Sequence, residues 1–474
     1  MRTSIRTTLA VATTLAVTGG FLTLATVTPA AAAPAKYADD FNGDGYRDLA
    51  VGSPLTNIGD KSSAGHVTVS LGSSAGLTTN HVSLHQNLAS VPGSAEDYDW
   101  FGDVLASGDL DGDGYADLVI GAGGEDIGSV EHGMVTIMWG GRTPFTTGTT
   151  TSVPDLTQYI GYGRDLAVGD FMGDNGQELA VLTPGEVIIY PGAQLRTGSP
   201  APIATLEPDP HFVFTESAVA DINNDGKDDI AFSGGPLVTV DAASEVWLGS
   251  TNGPTRLQHM ADGGDTETVL GDINGDGYDD LVTSQSGTDT ALEDDPSNGA
   301  GFITVRYASA TGFGAPTVIH QDTTGVPGAN EPGDEWGSSL AIGDITGDGK
   351  ADLVVGAEHE AVGTVADAGD VTVFKGSASG LSMTGIVRIT QDSAGVPGAV
   401  ETNDRFGAKV RLADYNLNGR LDLIVTASFE NNASGAFWQF AGGVDGVRTE
   451  TGKIFTHADF NLKPNTAFGE SLLD

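Results

Sequence analysis

The chain has 474 residues, 64 acidic against 21 basic, a net charge of −43 and no cysteine. That surplus of carboxylate excludes binding to nucleic-acid backbones, which takes clustered Lys and Arg. The lack of cysteine excludes a disulfide scaffold, so cohesion must come from the core and, where carboxylates cluster, from bound cations.

The N-terminus opens with Met1-Arg2 and Arg6 and runs through an apolar, Thr-rich stretch to Thr28-Pro-Ala-Ala-Ala-Ala33. This pattern predicts a secretory signal peptide over residues 1–32, cleaved near Ala32 with Ala30 and Ala32 as the small residues, and one domain over 33–474. No later run is long and apolar enough to span a bilayer. The expectation is a secreted, extracellular protein, monomeric, without a membrane span or a nucleic-acid partner.

Next comes a motif that recurs, clearest in Asp109-Leu-Asp-Gly-Asp-Gly-Tyr-Ala-Asp117 before the apolar run Leu118-Val-Ile120. Carboxylates stand at positions 1, 3, 5 and 9, and a glycine at 6 allows a left-handed turn; together they describe a hard-cation loop feeding a buried strand. Oxygen donors without Cys or His argue against zinc or copper, and a large coordination sphere suits Ca2+ better than magnesium. The same frame begins at Asp40, Asp109, Asp170, Asp221, Asp272, Asp344 and Asp414, at intervals of about fifty to seventy residues, the range of repeat architectures.

After each loop a short buried strand and an alternating third strand follow, as in Gly133-Met-Val-Thr-Ile-Met-Trp139 and Val371-Thr-Val-Phe-Lys375, with a fourth leading to the next repeat. Seven such units predict an all-β fold, a seven-bladed β-propeller of four-stranded antiparallel blades. The Asp40 loop lies too early for a first strand of its own, whereas Phe468-Gly469 near the other end has no loop after it. Pairing of N- and C-terminal segments is therefore expected to close the ring.

Phe101-Gly102, Phe406-Gly407, the variants Trp336-Gly337 and Tyr162-Gly163, and Gly121-Ala122, Gly356-Ala357 and Gly52-Ser53-Pro54 after the loops resemble FG-GAP repeats, the units of the integrin α N-terminal propeller. The resemblance spans nearly the whole chain after the signal peptide. It implies calcium in the loops and ligand recognition by loops on the ring's faces.

The ligand sets differ among loops. Asp109, Asp111, Asp113 and Asp117 give four carboxylates; Asp40, Asn42, Asp44, Asp48, then Asp221, Asn223, Asp225, Asp229, and Asp272, Asn274, Asp276, Asp280 give three each. Asp344, Thr346, Asp348 and Asp352 also keep three, whereas Asp414, Asn416, Asn418 and Asp422 keep two. In the third loop Met172 takes position 3 and Asn175 replaces the glycine, so that loop is expected to be empty or nearly so and the second to bind most tightly. A structural role for the ions is expected.

Strand alternation puts the metal loops on one face and the long connections on the other. Three of these match, Val91 to Phe101, Val326 to Trp336 and Val396 to Phe406, with Glu96, Glu331 and Glu401 equivalent and Asp99, Asp334 and Asp404 equivalent. The acids are read as loop braces that accept backbone N–H bonds. Tyr98 and Trp100 stand out as a stacking platform for a protein or glycan partner, the alternative for Trp100 being packing against a blade.

No catalytic residue is predicted. Gly72-Ser-Ser-Ala-Gly76 has the letters of a nucleophile elbow but the setting of a hairpin turn, shared with Gly376-Ser-Ala-Ser-Gly380. His85 and His320 are repeat equivalents, which reads as a structural position. The expected function is a calcium-binding, non-catalytic ligand-binding or adhesion module; the alternative is a hydrolase or lyase using carboxylates of the connection face.

Overall fold

The computed structural model describes residues 35–473 apart from 129, 153–160, 199, 237–241, 262–263, 265 and 287–294. The segment read as a signal peptide lies outside these. Among the described residues nearly all regular structure is strand, in seven four-stranded antiparallel sheets. We number the blades 1 to 7 by their aspartate-rich loops. In blade 2 the strands run Leu105–Gly108, Asp117–Ala122, Met134–Met138 and Gly148–Thr151, from the ring's axis outward.

Closure takes the expected form. Ser471–Leu472 is the inner strand of blade 1, paired with Leu49–Gly52 through Val51 with Leu472 and Gly52 with Ser471. The aromatic before it repeats an interblade contact found elsewhere: Gly65 bridges Phe101, and Gly435 bridges Phe468. A Cβ on either glycine would collide with the aromatic residue's backbone, so glycine there lets adjacent blades meet. Thus Phe468-Gly469 is the missing start of the first repeat.

The apolar residues of each blade face its neighbours, and the core divides into clusters between adjacent blades. Ala50, Val67 and Val69 pack with Phe101, Leu118 and Ile120 between blades 1 and 2, and Leu49 and Val51 pack with Phe437, Phe455 and Phe468 across the seam. Phe437 and Phe455 stack with centroids 4.8 Å apart, an arrangement worth about 1 kcal/mol beyond area burial. Along the axis the channel is narrow, and Lys409 Nζ of blade 7 bonds to Glu267 Oε1 of blade 5 at 2.6 Å inside it.

The connections alternate as the topology requires. The aspartate-rich loops join first to second strands on one face, the loop face. The 91–101, 326–336 and 396–406 segments lie on the other, the connection face.

Candidate functional site

Each aspartate-rich loop is built on its first aspartate, which accepts N–H bonds from positions 5 and 6. Asp109 takes Asp113 and Gly114 at 3.0 and 3.1 Å, Asp221 takes Asp225 and Gly226 at 2.9 and 2.8 Å, and Asp272 takes Asp276 and Gly277 at 3.0 and 2.8 Å. Position 5 then accepts from position 7, as Asp113 does from Tyr115 at 3.1 Å. Position 2 is apolar and buried, from Phe41 to Tyr415, and it anchors the turn in the interblade core.

Position 9 holds the loop to its own sheet. Asp117 accepts from Leu110 N at 3.0 Å and Gly140 N at 2.8 Å, tying the loop's start to the residue beyond the third strand. Asp48, Asp229 and Asp280 do the same with Phe41 and Gly72, Ile222 and Gly249, and Ile273 and Ala308. Burial, and then neighbouring carboxylates, raise these acids against the backbone bonds that lower them: Asp48 and Asp117 to about 8, Asp229 and Asp280 to about 7.

The donor set fits a hard cation in several loops. Carboxylate oxygens of Asp109, Asp111 and Asp117 lie within 4.8 Å of one another. Asn223 Oδ1 and Asn274 Oδ1, the position-3 oxygens of loops 4 and 5, are buried without a hydrogen-bond partner, and a cation is what would use them.

Two features escape a residue count. Arg196 of blade 3 pairs with Asp111 and reaches Asp113 at 3.2 Å while stacked over Trp139 at 4.6 Å, so it neutralises part of the four-carboxylate loop. In loop 7 the Asn416 amide donates to both oxygens of Asp422 at 2.7 Å, turning donors where a ligand oxygen would be needed. Loop 3 keeps the shared backbone frame, with Asp170 accepting from Asp174 and Asn175 at 3.0 and 2.9 Å and Asn175 at φ 67°. Met172 supplies no oxygen side chain there.

On the connection face the acid braces form, and the aspartate is the acceptor in each. Asp99, Asp334 and Asp404 take the backbone N–H of Glu96, Glu331 and Glu401 at 2.5, 2.9 and 2.7 Å. The glutamates enter this bond through their backbone, which corrects the reading of both acids as acceptors.

A second, interblade latch was not legible. Gln86, Gln321 and Gln391 donate to Glu125, Glu360 and Glu430, each 39 residues ahead, at 2.6, 2.7 and 2.7 Å. These glutamates are buried, and burial, opposed by the Gln86 bond and reinforced by the charges of Asp99, Glu96 and Asp126, raises Glu125 to about 7. In blade 6 Arg388 joins the latch, pairing with Asp370 and with Glu360 Oε1 at 2.8 Å.

Tyr98 and Trp100 project from the same braced loop, 56% and 37% exposed. Their N–H groups bond to Ser62 and Ser63 carbonyls at 2.8 and 3.2 Å. Both have left-handed backbones, φ 70° and 54°, as do Gly333 and Glu335, and Asn403 and Arg405, at the equivalent places. Trp100 also sits against Gly124, where an added Cβ would meet its ring. Trp100 thus packs against blade 2 on one side and keeps part of its ring exposed.

The FG-GAP repeat family model matches residues 38–70, 101–138 and 336–374, each spanning an aspartate-rich loop and its flanking strands. The chain is an integrin-alpha-like FG-GAP propeller. Integrin alpha-PS2 of Drosophila melanogaster is 29% identical to this FG-GAP propeller over 240 residues, 45% of this chain and 16% of the relative. Phosphatidylinositol-glycan-specific phospholipase D of Homo sapiens is 26% identical over 449 residues, 90% of this chain and 46% of the relative. The propeller thus spans less than half the length of these relatives. The exotype rhamnogalacturonan lyase YesX, a solved structure, overlaps 88% of this chain and 72% of its own at a TM-score of 0.43 and 12% identity, from which nothing about activity follows.

The Gly72–Gly76 turn is a hairpin turn, with Ser73 Oγ bonded to Gly76 O at 2.8 Å and Ser377 doing the same to Gly380 at 2.6 Å. No helix among the described residues is long and apolar enough to cross a membrane.

Proposed function

We propose that this FG-GAP propeller is a secreted recognition module whose metal loops hold calcium and whose connection face binds a protein or glycan partner. The observation that carries the reading is the display of Tyr98 and Trp100. Two large aromatics stand half in solvent on a backbone that side chains of their size rarely adopt, at positions where the sister loops use Gly or Asn and Glu or Arg. Aromatic anchors of this kind dominate binding energy at interfaces.

Calcium would be held by the position 1, 3, 5 and 9 oxygens of loops 1, 2, 4, 5 and 6, where it relieves the repulsion among carboxylates. The partnerless Asn223 and Asn274 oxygens support this. The integrin relative favours adhesion as the use of the recognition face.

The test is capture by the immobilised, calcium-loaded chain of extracellular proteins and of an arrayed glycan set. Tyr98→Ala and Trp100→Ala should weaken the captured interaction at least about tenfold while melting temperature and calcium stoichiometry stay unchanged. Binding indifferent to both changes would overturn the reading. So would turnover of a glycan or ester substrate abolished by Glu331→Gln.

A further inference from the structure

The interface that closes the ring, between blades 7 and 1, departs from the acid latches. Counting four residues from Gly52, Gly121 and Gly356 puts Thr56 where blades 2 and 6 have Glu125 and Glu360. By the same register Thr466 replaces Asp99, His66 replaces Asp370 and Ser83 replaces Arg388. Asn87 stands where the later repeats have Asp322 and Asp392. The carboxylates and the arginine that fill this space in blade 6 are both gone.

What remains is a cavity of about 760 Å³ between blade 1 and the connection that follows the last strand of blade 7. Among the described residues, none of the sixteen that line it is acidic, in a chain with 64 Asp and Glu. It gathers instead His66, His81, His85 and Lys463. His85 differs from its repeat mate in a telling way. The Nδ1 of His320 lies 3.1 Å from Asn330 Nδ2, whereas Ala95 takes the place of that asparagine in the first connection, and the buried Nδ1 of His85 has no partner.

We propose that this cavity is a binding site for a small anionic saccharide, its carboxylate or sulfate group held by Lys463 and the imidazoles, its hydroxyls by Asn57, Asn461 and Asn465. The volume lies within the ordinary range of small-ligand pockets. Removal of every carboxylate separates an anionic ligand from a neutral sugar, since Asp and Glu are good acceptors for hydroxyls and would be no hindrance to one. Among the described residues the three histidines do not form a convergent three-ligand metal set. The site is distinct from the aromatic platform: Tyr98 touches the 53–65 loop through Ser62, whereas Thr56 to Gly59 of that loop line the cavity.

Isothermal titration of the full chain with glucuronate, glucose 6-sulfate and glucose tests the proposal, the two acids separating carboxylate from sulfate recognition. At least one acid should bind, with glucose about tenfold weaker or more. Asn87→Asp restores at an exposed position the carboxylate of Asp322 and Asp392, and should weaken the acid ligand about tenfold with melting temperature unchanged. Lys463→Gln should act in the same direction. Glucose binding as well as the acids, no heat with either acid up to about 10 mM, or full affinity in both variants would overturn it.

Discussion

The loop face and the connection face of this propeller were built from the same repeats and have diverged to different degrees. On the loop face the first aspartate accepts the same two backbone N–H bonds in all seven blades, including blade 3, where Met172 and Asn175 break the motif. On the connection face the braced loop and its Gln-Glu latch occur three times, and at the seam the latch residues have changed into the lining of a cavity. Where a side chain accepts backbone N–H bonds inside a tight turn it holds the turn's conformation and is difficult to replace. Where it bonds only to another side chain, both can change together.

The two faces share one strand across the seam, and its removal should have the largest effect. Deletion of residues 467–474 takes away buried Phe468, Leu472 and Leu473 and the pairing to Leu49–Gly52. Loss of Phe468 and Leu472 alone is a matter of several kcal/mol, about 2–5 for each large apolar side chain. Thermal unfolding should show a fall in melting temperature larger than that from any single substitution; an unchanged melt would mean the ring is held shut elsewhere.

A smaller effect separates the loop face from the rest through pH. Asp48 and Asp117 sit at about 8 in the metal-free fold, above the ordinary carboxylate value of 3.8, chiefly through burial. Because the folded value is the higher one, the protonated form favours folding; this contribution is full below about pH 4 and is lost as pH rises through about 8. Calcium needs the same groups ionised. In EDTA the melting temperature should therefore decline from pH 5.5 to 8.5, while the increment given by calcium grows over that interval. A calcium increment independent of pH would remove these aspartates from the ligand set.

The smallest effect probes the connection face. Tyr98→Gly and Trp100→Gly relieve left-handed backbones at φ 70° and 54°, so each should leave stability unchanged or raise it by up to about 1 kcal/mol, even as partner binding falls. Differential scanning calorimetry beside the capture assay would show both. A clear loss of stability would mean that the rings contribute more to packing than their exposure indicates.

The blades, the seam and the loop ligands were legible because each is written locally: carboxylates at fixed offsets, period-two strands, and a Phe-Gly pair with no loop of its own. Arg196 beside Asp111 was not, since nothing in the order of residues brings positions 85 apart together. The Gln-Glu latch was readable in principle, because the 39-residue interval recurs three times, but buried acids with glutamine partners carry no motif. His85 and His320 show the limit of reasoning from equivalence. They align in sequence, yet Asn330 pairs with one and Ala95 leaves the buried Nδ1 of the other without a partner.

The seam also sets the order of events in making the protein. Thr56 bonds to the carbonyl of Thr466 across 410 residues, and Ser471 Oγ to that of Gly102 across 369. None of these contacts can form until the ribosome has released essentially every blade. Until then the nascent chain is an open arc with the flank of blade 1 uncovered, and sequence separations of that size make closure slow. Under the proposed secretion, that delay would keep the chain from locking into a ring before it had crossed the membrane.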